Sequence, residues 1–175
     1  MKKNILWVAI FSVIIIALLC QTCGVFEFMG IFPPSLNAME KKYQKSENEI
    51  SLICRYLLDS NFEKYDVVRI DVFDSTKKIE CLERDNVNGG HKKGIYELSD
   101  EKIISCIETL QKTGFDIILK EYNYIYFEVW GSFGTSVGLV YSPHGNPHLS
   151  EINAKEQILE KLKYQDWYYN KTIYN

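Results

Sequence analysis

The chain has 175 residues, 46% hydrophobic, 25% charged and 14% aromatic, with a net charge of −3. That balance excludes a collagen-like, a disordered or a disulfide-dense chain. Lys2 and Lys3 are the charged residues of the first 23, so the remainder is more acidic than the whole. An acidic body is a poor counterion for phosphate, which argues against nucleic acid as a partner and against a polybasic grip on anionic lipid.

From Asn4 to Phe26 no residue is charged, and Ile5 to Cys20 is almost wholly apolar. A hydrocarbon core of about 30 Å asks for roughly 20 such residues in a helix, so Asn4 to Cys23 reaches across. The run is longer than the hydrophobic part of a cleavable signal, about 7 to 15 residues, and it lacks a small-x-small cleavage site. An uncleaved anchor therefore ranks above a lipoprotein acylated on Cys20, and both rank above a secreted product. The bulky Leu19 just before Cys20 makes the lipobox loose. With Lys2 and Lys3 held inside by the positive-inside rule, the expectation is a single-pass cell-membrane protein, N-terminus cytoplasmic and C-terminal domain outside. Residues 1–23 read as a membrane anchor or signal-like segment, touching the lipid bilayer through 4–23. Residues 24–37 read as a juxtamembrane linker with aromatics and a Pro33-Pro34 elbow, and 38–175 as one extracytoplasmic domain.

Within that domain, Met39 to Ser60 has the spacing of a helix, with Ile50, Ile53, Cys54 and Leu57 on one stripe and a charged first half that reads as a solvated stalk. Tyr65 to Phe73 alternates as a strand, and Lys77 to Arg84 is a second, weaker one before the turn sequence at 86–90. A second helix is expected from a Ser99 cap, burying Ile103, Cys106, Ile107 and Leu110 and stopping at Gly114. Strands at 115–120, 122–130 and 136–142 follow, joined by short links that favour an antiparallel meander. Ser142-Pro143-His144-Gly145 fits a type I turn. The tail reads as a short helix from the capping box at Asn153 and Glu156, then a final strand at Trp167-Tyr168-Tyr169. The expected class is α+β: after a transmembrane helix, a small, mainly antiparallel sheet of 4–6 strands packed on two helices.

No pattern of catalytic residues stands out. Cys54 and Cys106 fall on apolar helix stripes, where a thiol acts as a small hydrophobe, although one disulfide among Cys54, Cys81 and Cys106 stays open in an exported domain. His91, His144 and His148 lie in expected loops, Pro143, Gly145 and Pro147 forbid a helix that would pair the last two, and neither a metal spacing nor a cofactor motif is present. Gly131, Gly134 and Gly138 lack the Lys-Ser/Thr of a phosphate loop. What remains is a surface. If Val68, Ile70, Val72, Ile125, Phe127, Val129, Val137, Leu139 and Tyr141 face the helices, the opposite sheet face carries Arg69, Asp71, Tyr124, Tyr126, Glu128 and Trp130, beside a gap at Gly138. Aromatics mixed with Arg and carboxylate are the composition of binding anchors, and also of plain cross-strand cover.

The run Gly138 to Pro147, GLVYSPHGNP, with Trp167-Tyr168-Tyr169 some twenty residues later, resembles small uncharacterised bacterial lipoprotein-like or membrane-anchored proteins that have a Tyr-Ser-Pro-x-Gly turn before a Trp-Tyr-Tyr segment. His144 stands where that turn has an acid. The resemblance covers the last third of the chain and implies a bacterial, membrane-linked protein; it carries no activity. The functional expectation is a tethered binding or accessory domain, envelope-facing or immunity-like, with a protein partner. The alternative is a small membrane-anchored hydrolase or redox enzyme using an exposed cysteine or Glu128.

Overall fold

A computed structural model describes residues 33–59, 62, 64–73, 78–84, 91–132, 134–147 and 154–174. The chain divides into two units, Met1–Ser35 and Leu36–Asn175, and the elements below belong to the second.

Helix α1 (Leu36–Leu58) buries Met39, Tyr43, Ser46, Ile50, Ile53, Cys54 and Leu57, a stripe at steps of three and four along its whole length. Its charged first half is thus a packed face and not the solvated stalk that its composition implied. Helix α2 (Glu101–Lys112) buries Ile103, Cys106 and Leu110. Its cap is Asp100 and not Ser99: the Asp100 carboxylate accepts from the backbone N–H groups of Lys102 and Ile103. At its other end Gly114 takes φ +78°, its N–H donates to the Gln111 carbonyl, and the Phe115 N–H donates to the Leu110 carbonyl. That pair of bonds is a Schellman stop, and both Phe115 and Leu110 are buried in the same core.

Among the described residues eight strands follow the order of the chain: β1 (Val67–Asp71), β2 (Lys78–Arg84), β3 (His91–Glu97), β4 (Ile117–Glu121), β5 (Tyr124–Ser132), β6 (Thr135–Tyr141), β7 (Ala154–Lys161) and β8 (Trp167–Tyr174). They form one sheet in the order β3-β2-β1-β4-β5-β6-β8-β7, with every neighbouring pair antiparallel. Strands β1 to β3 step outward from the centre. Helix α2 then returns the chain so that β4 pairs with the free side of β1, and β5 and β6 step outward the other way. Strand β8 comes back to lie between β6 and β7.

Helices α1 and α2 cover one face. Their stripes pack with Val68, Ile70, Ile79, Cys81, Ile118, Ile125, Phe127, Val137, Leu139, Trp167 and Tyr169 in a single core. Tyr124, Tyr126, Val140 and Tyr168 make a smaller cluster on the other face, flanked by Leu119 and Leu159.

The expected α+β class, with 4–6 strands on two helices, is corrected: the body is mostly sheet, eight strands wide. Two strands account for the difference. Strand β3, HKKGIYE, has no apolar alternation, and its place is set by pairing with β2 from Lys78↔Glu97 to Arg84↔His91. Strand β7 takes the place of the expected tail helix. Its sequence AKEQILEK favours a helix locally, but β8 offers it a full ladder, and Ile158 and Leu159 reach opposite faces, one against each cluster.

The membrane expectation is corrected as well. Among the described residues no helix is long and apolar enough to cross a membrane. Helix α1 has the length, but Glu40, Lys41, Lys42, Lys45, Glu47, Glu49 and Arg55 disqualify it. The segment 4–23, its bilayer contact, the linker up to residue 32 and the acylation site at Cys20 lie outside the described residues, so the single-pass placement and its two-sided topology have no support in the structure.

Candidate functional site

The six residues expected on the free sheet face divide into three groups. Tyr124 and Tyr126 are there but buried, 4% and 8% exposed, so their rings are cover and not anchors. The Tyr124 hydroxyl donates to the carboxylate of Glu121, its cross-strand neighbour. Ser136 Oγ donates to Glu128 Oε2 at 2.8 Å, which spends its one proton, so the Tyr126 hydroxyl at 2.6 Å is the donor to Ser136. The result is a directed chain from Tyr126 through Ser136 to Glu128. Farther along the same face Gln157 donates to Asn170, and Asn170 to Thr172, the latter two fully buried.

Trp130 goes to the other side. A bulge between Glu128 and Trp130 shifts the register of β5, so Trp130 pairs with Val137 and packs against the helix-side core. A strict period of two therefore assigns it to the wrong face.

Arg69 and Asp71 stay accessible. They lie 3.9 Å apart with side chains 42% and 49% exposed, a separation at which an ion pair contributes little to stability. With Lys78, Glu80 and Ile95 they line a depression of about 460 Å³ on the β1–β2–β3 end of the free face. Lys93 donates to Glu80 at 2.7 Å along its rim. Ile95 is 59% exposed among these charges, on the outermost strand of the sheet. Lys78 and Glu80 lie on the expected strand at 77–84, but Ile95 belongs to β3, which has no apolar period to mark it, and without β3 there is no depression.

The titratable groups elsewhere are turned toward structure. Cys54, Cys81 and Cys106 are free thiols, all buried. Burial raises each above its ordinary range, Cys81 to about 11, so none is a ready nucleophile and the exposed cysteine of the enzymatic alternative is not among them. Asp116 is pushed up to about 6, first by burial and then by the neighbouring Glu128. Lys42 is lowered to about 8, chiefly by burial, while its ammonium donates to the carbonyls of Thr113 and Gly114 at 2.7 and 2.9 Å. It satisfies the C-terminus of α2 from a distant helix, a role that spacing within one helix cannot reveal. Among the described residues no group of three or more His, Cys, Asp or Glu is placed to hold a metal.

The chain matches no protein-family model, no curated protein and no solved structure.

Proposed function

We propose that this chain is a protein-binding module, and that its partner contributes an extended segment with charges of both signs, laid along the outer edge of β3 and into the depression beside it. One observation carries the reading: an exposed Ile95 sits on an edge strand, at the rim of a hollow lined by Arg69, Asp71, Lys78 and Glu80. An edge strand presents unpaired backbone groups, and proteins ordinarily blunt it with charge. Lys92 and Lys93 do so for the first half of β3, whereas Gly94-Ile95-Tyr96 leaves the second half apolar and accessible. Strand addition there supplies main-chain hydrogen bonds, and the alternating charges beside it supply selectivity for a segment of complementary pattern.

A photocrosslinking side chain introduced at Ile95 tests this in the source cells. The reading expects one dominant protein adduct that Arg69→Glu weakens, with no such adduct from the same probe at Lys155 on the opposite edge. Equal capture at both positions, or an adduct indifferent to Arg69→Glu, overturns it.

A further inference from the structure

On the helix side, where α1 ends and the chain enters β1, a second cavity of about 330 Å³ is lined by Tyr56, Phe62, Lys64, Tyr65, Ile79, Tyr96 and Glu97. Four of these residues are aromatic, and their rings follow one another as tilted walls. Centroids are 5.2 Å apart from Tyr56 to Phe62, 6.5 Å from Phe62 to Tyr65 and 5.6 Å from Tyr65 to Tyr96, with interplanar angles of 56°, 47° and 56°. Tilted pairs at these separations are favourable ring–ring contacts, so the rings pack on one another in a continuous aromatic wall.

The walls are held firmly. Lys120, buried in the sheet, donates from Nζ to the carbonyls of both Phe62 and Tyr65 at 3.3 Å, and the Tyr65 and Tyr96 hydroxyls are hydrogen-bonded to each other. These contacts tie the segment before β1 to the edge strand β3. An exposed cation of the chain itself already meets one of these rings: Lys64 Nζ stands 4.9 Å from the Tyr65 ring centroid, within the range of a cation–π contact. Glu97, next to Tyr96 at the end of β3, closes the lining.

We infer that this cavity is a binding site for an organic ammonium ion, in particular a quaternary one such as a trimethylammonium group, with the exposed Lys64 ammonium as a competitor for the Tyr65 ring. Aromatic faces attract any cation, but a primary ammonium is strongly hydrated and loses that hydration on entering. A methylated ammonium carries the same charge on an apolar surface and gives up less, so aromatic walls favour it over lysine. The volume lies at the lower end of the range for small-ligand pockets and exceeds what one lysine head group fills. The site is separate from the depression beside Ile95, since Ile95 and Tyr96 are neighbours on β3 and point to opposite faces.

The test uses the full chain and three probes: tetramethylammonium as reference, choline as a free metabolite-like source, and a trimethyllysine peptide as a protein-borne source, each read by chemical-shift changes at Tyr65 and Tyr96. Saturable shifts with tetramethylammonium are expected, with choline or the peptide binding tighter and so identifying the source. Lys64→Ala is expected to tighten binding by removing the competitor. Tyr96→Leu, at a side chain 44% exposed, is expected to weaken it by about two- to thirtyfold, the scale of one cation–π contact. Far-ultraviolet circular dichroism reports whether each variant keeps the fold. The inference is overturned if Lys64→Ala shows no saturable shift with any probe, or if a folded Tyr96→Leu binds as well as the unaltered chain.

Discussion

The ring of Tyr126 occupies the space over Gly138 on the neighbouring strand, where a Cβ at residue 138 would collide with that ring and with the Phe127 carbonyl oxygen. Gly138 is the diagonal cross-strand neighbour of Tyr126, since Glu128 pairs with Gly138 and Tyr126 with Val140. The gap expected beside the aromatic residues is therefore filled by one of them, which is why Tyr126 is buried on the face opposite α1 and α2.

Gly138→Ala is expected to cost at least about 1–3 kcal/mol, the scale of overpacking, seen as a lower urea midpoint. Removing the ring as well, in Tyr126→Ala/Gly138→Ala, is not expected to restore stability, because the Phe127 carbonyl remains in the way. A Gly138→Ala chain with an unchanged midpoint contradicts the packing described.

Lys42→Met is expected to destabilise the chain by leaving the Thr113 and Gly114 carbonyls without their donor. The pH dependence has a definite sign. The folded-state value is about 8 against an ordinary 10.5, so between those limits the unfolded chain holds more protons and stability rises with pH. Plotted against pH, the stability of the unaltered chain minus that of Lys42→Met should be flat below about 8 and climb toward 10.5. A flat difference throughout contradicts burial of the ammonium.

Asp116 works in the opposite direction. Its carboxyl is raised from 3.8 to about 6, so across that window the folded chain binds more protons and stability falls as pH rises. Asp116→Asn should remove this slope, and titration of Asp116 by carbon-13 NMR should give a midpoint above the ordinary value. A midpoint at or below 3.8 excludes the desolvation and the Glu128 repulsion assigned to it.

The two candidate caps of α2 separate cleanly. Asp100→Ala is expected to cost about 1 kcal/mol through loss of the bonds to Lys102 and Ile103, while Ser99→Ala, at an exposed residue outside the cap, should leave thermal unfolding nearly unchanged. The reverse ranking returns the cap to Ser99.

With Cys20 and Cys23 replaced by serine, the native chain should release no colour from an aromatic disulfide reagent until denaturant is added, when three thiols react. Cys54, Cys81 and Cys106 are buried and their thiolates disfavoured by desolvation. Rapid reaction of any of them under native conditions contradicts that placement.

The elements legible in the sequence were those whose own apolar period matches the final structure. Ile103, Cys106 and Leu110 mark α2, and Val68 and Ile70 mark the core face of β1. Arg69 and Asp71 were placed on the free face by the same alternation and remain there. Alternation alone misplaces Trp130 because a bulge interrupts it, and composition alone hides the packing of the first half of α1 because Met39, Tyr43 and Ser46 are spaced among charges. The ring-lined cavity was not visible at all. Tyr56, Phe62, Tyr65 and Tyr96 come from a helix, a connecting segment and an edge strand, and no spacing rule joins them.

What the sequence determined by itself is the set of local faces: a residue's neighbours at two, three or four positions decide which side of a strand or helix is apolar, and that information is contained in a short window. Tertiary structure decided how wide the sheet is and where its surfaces lie. Strands β3 and β7 have little apolar pattern of their own and form because β2 and β8 offer them unpaired backbone groups. Hydrogen bonds between strands depend on which strand arrives alongside, and the hollow beside Ile95 and the cavity at Tyr65 and Tyr96 both exist because β3 did.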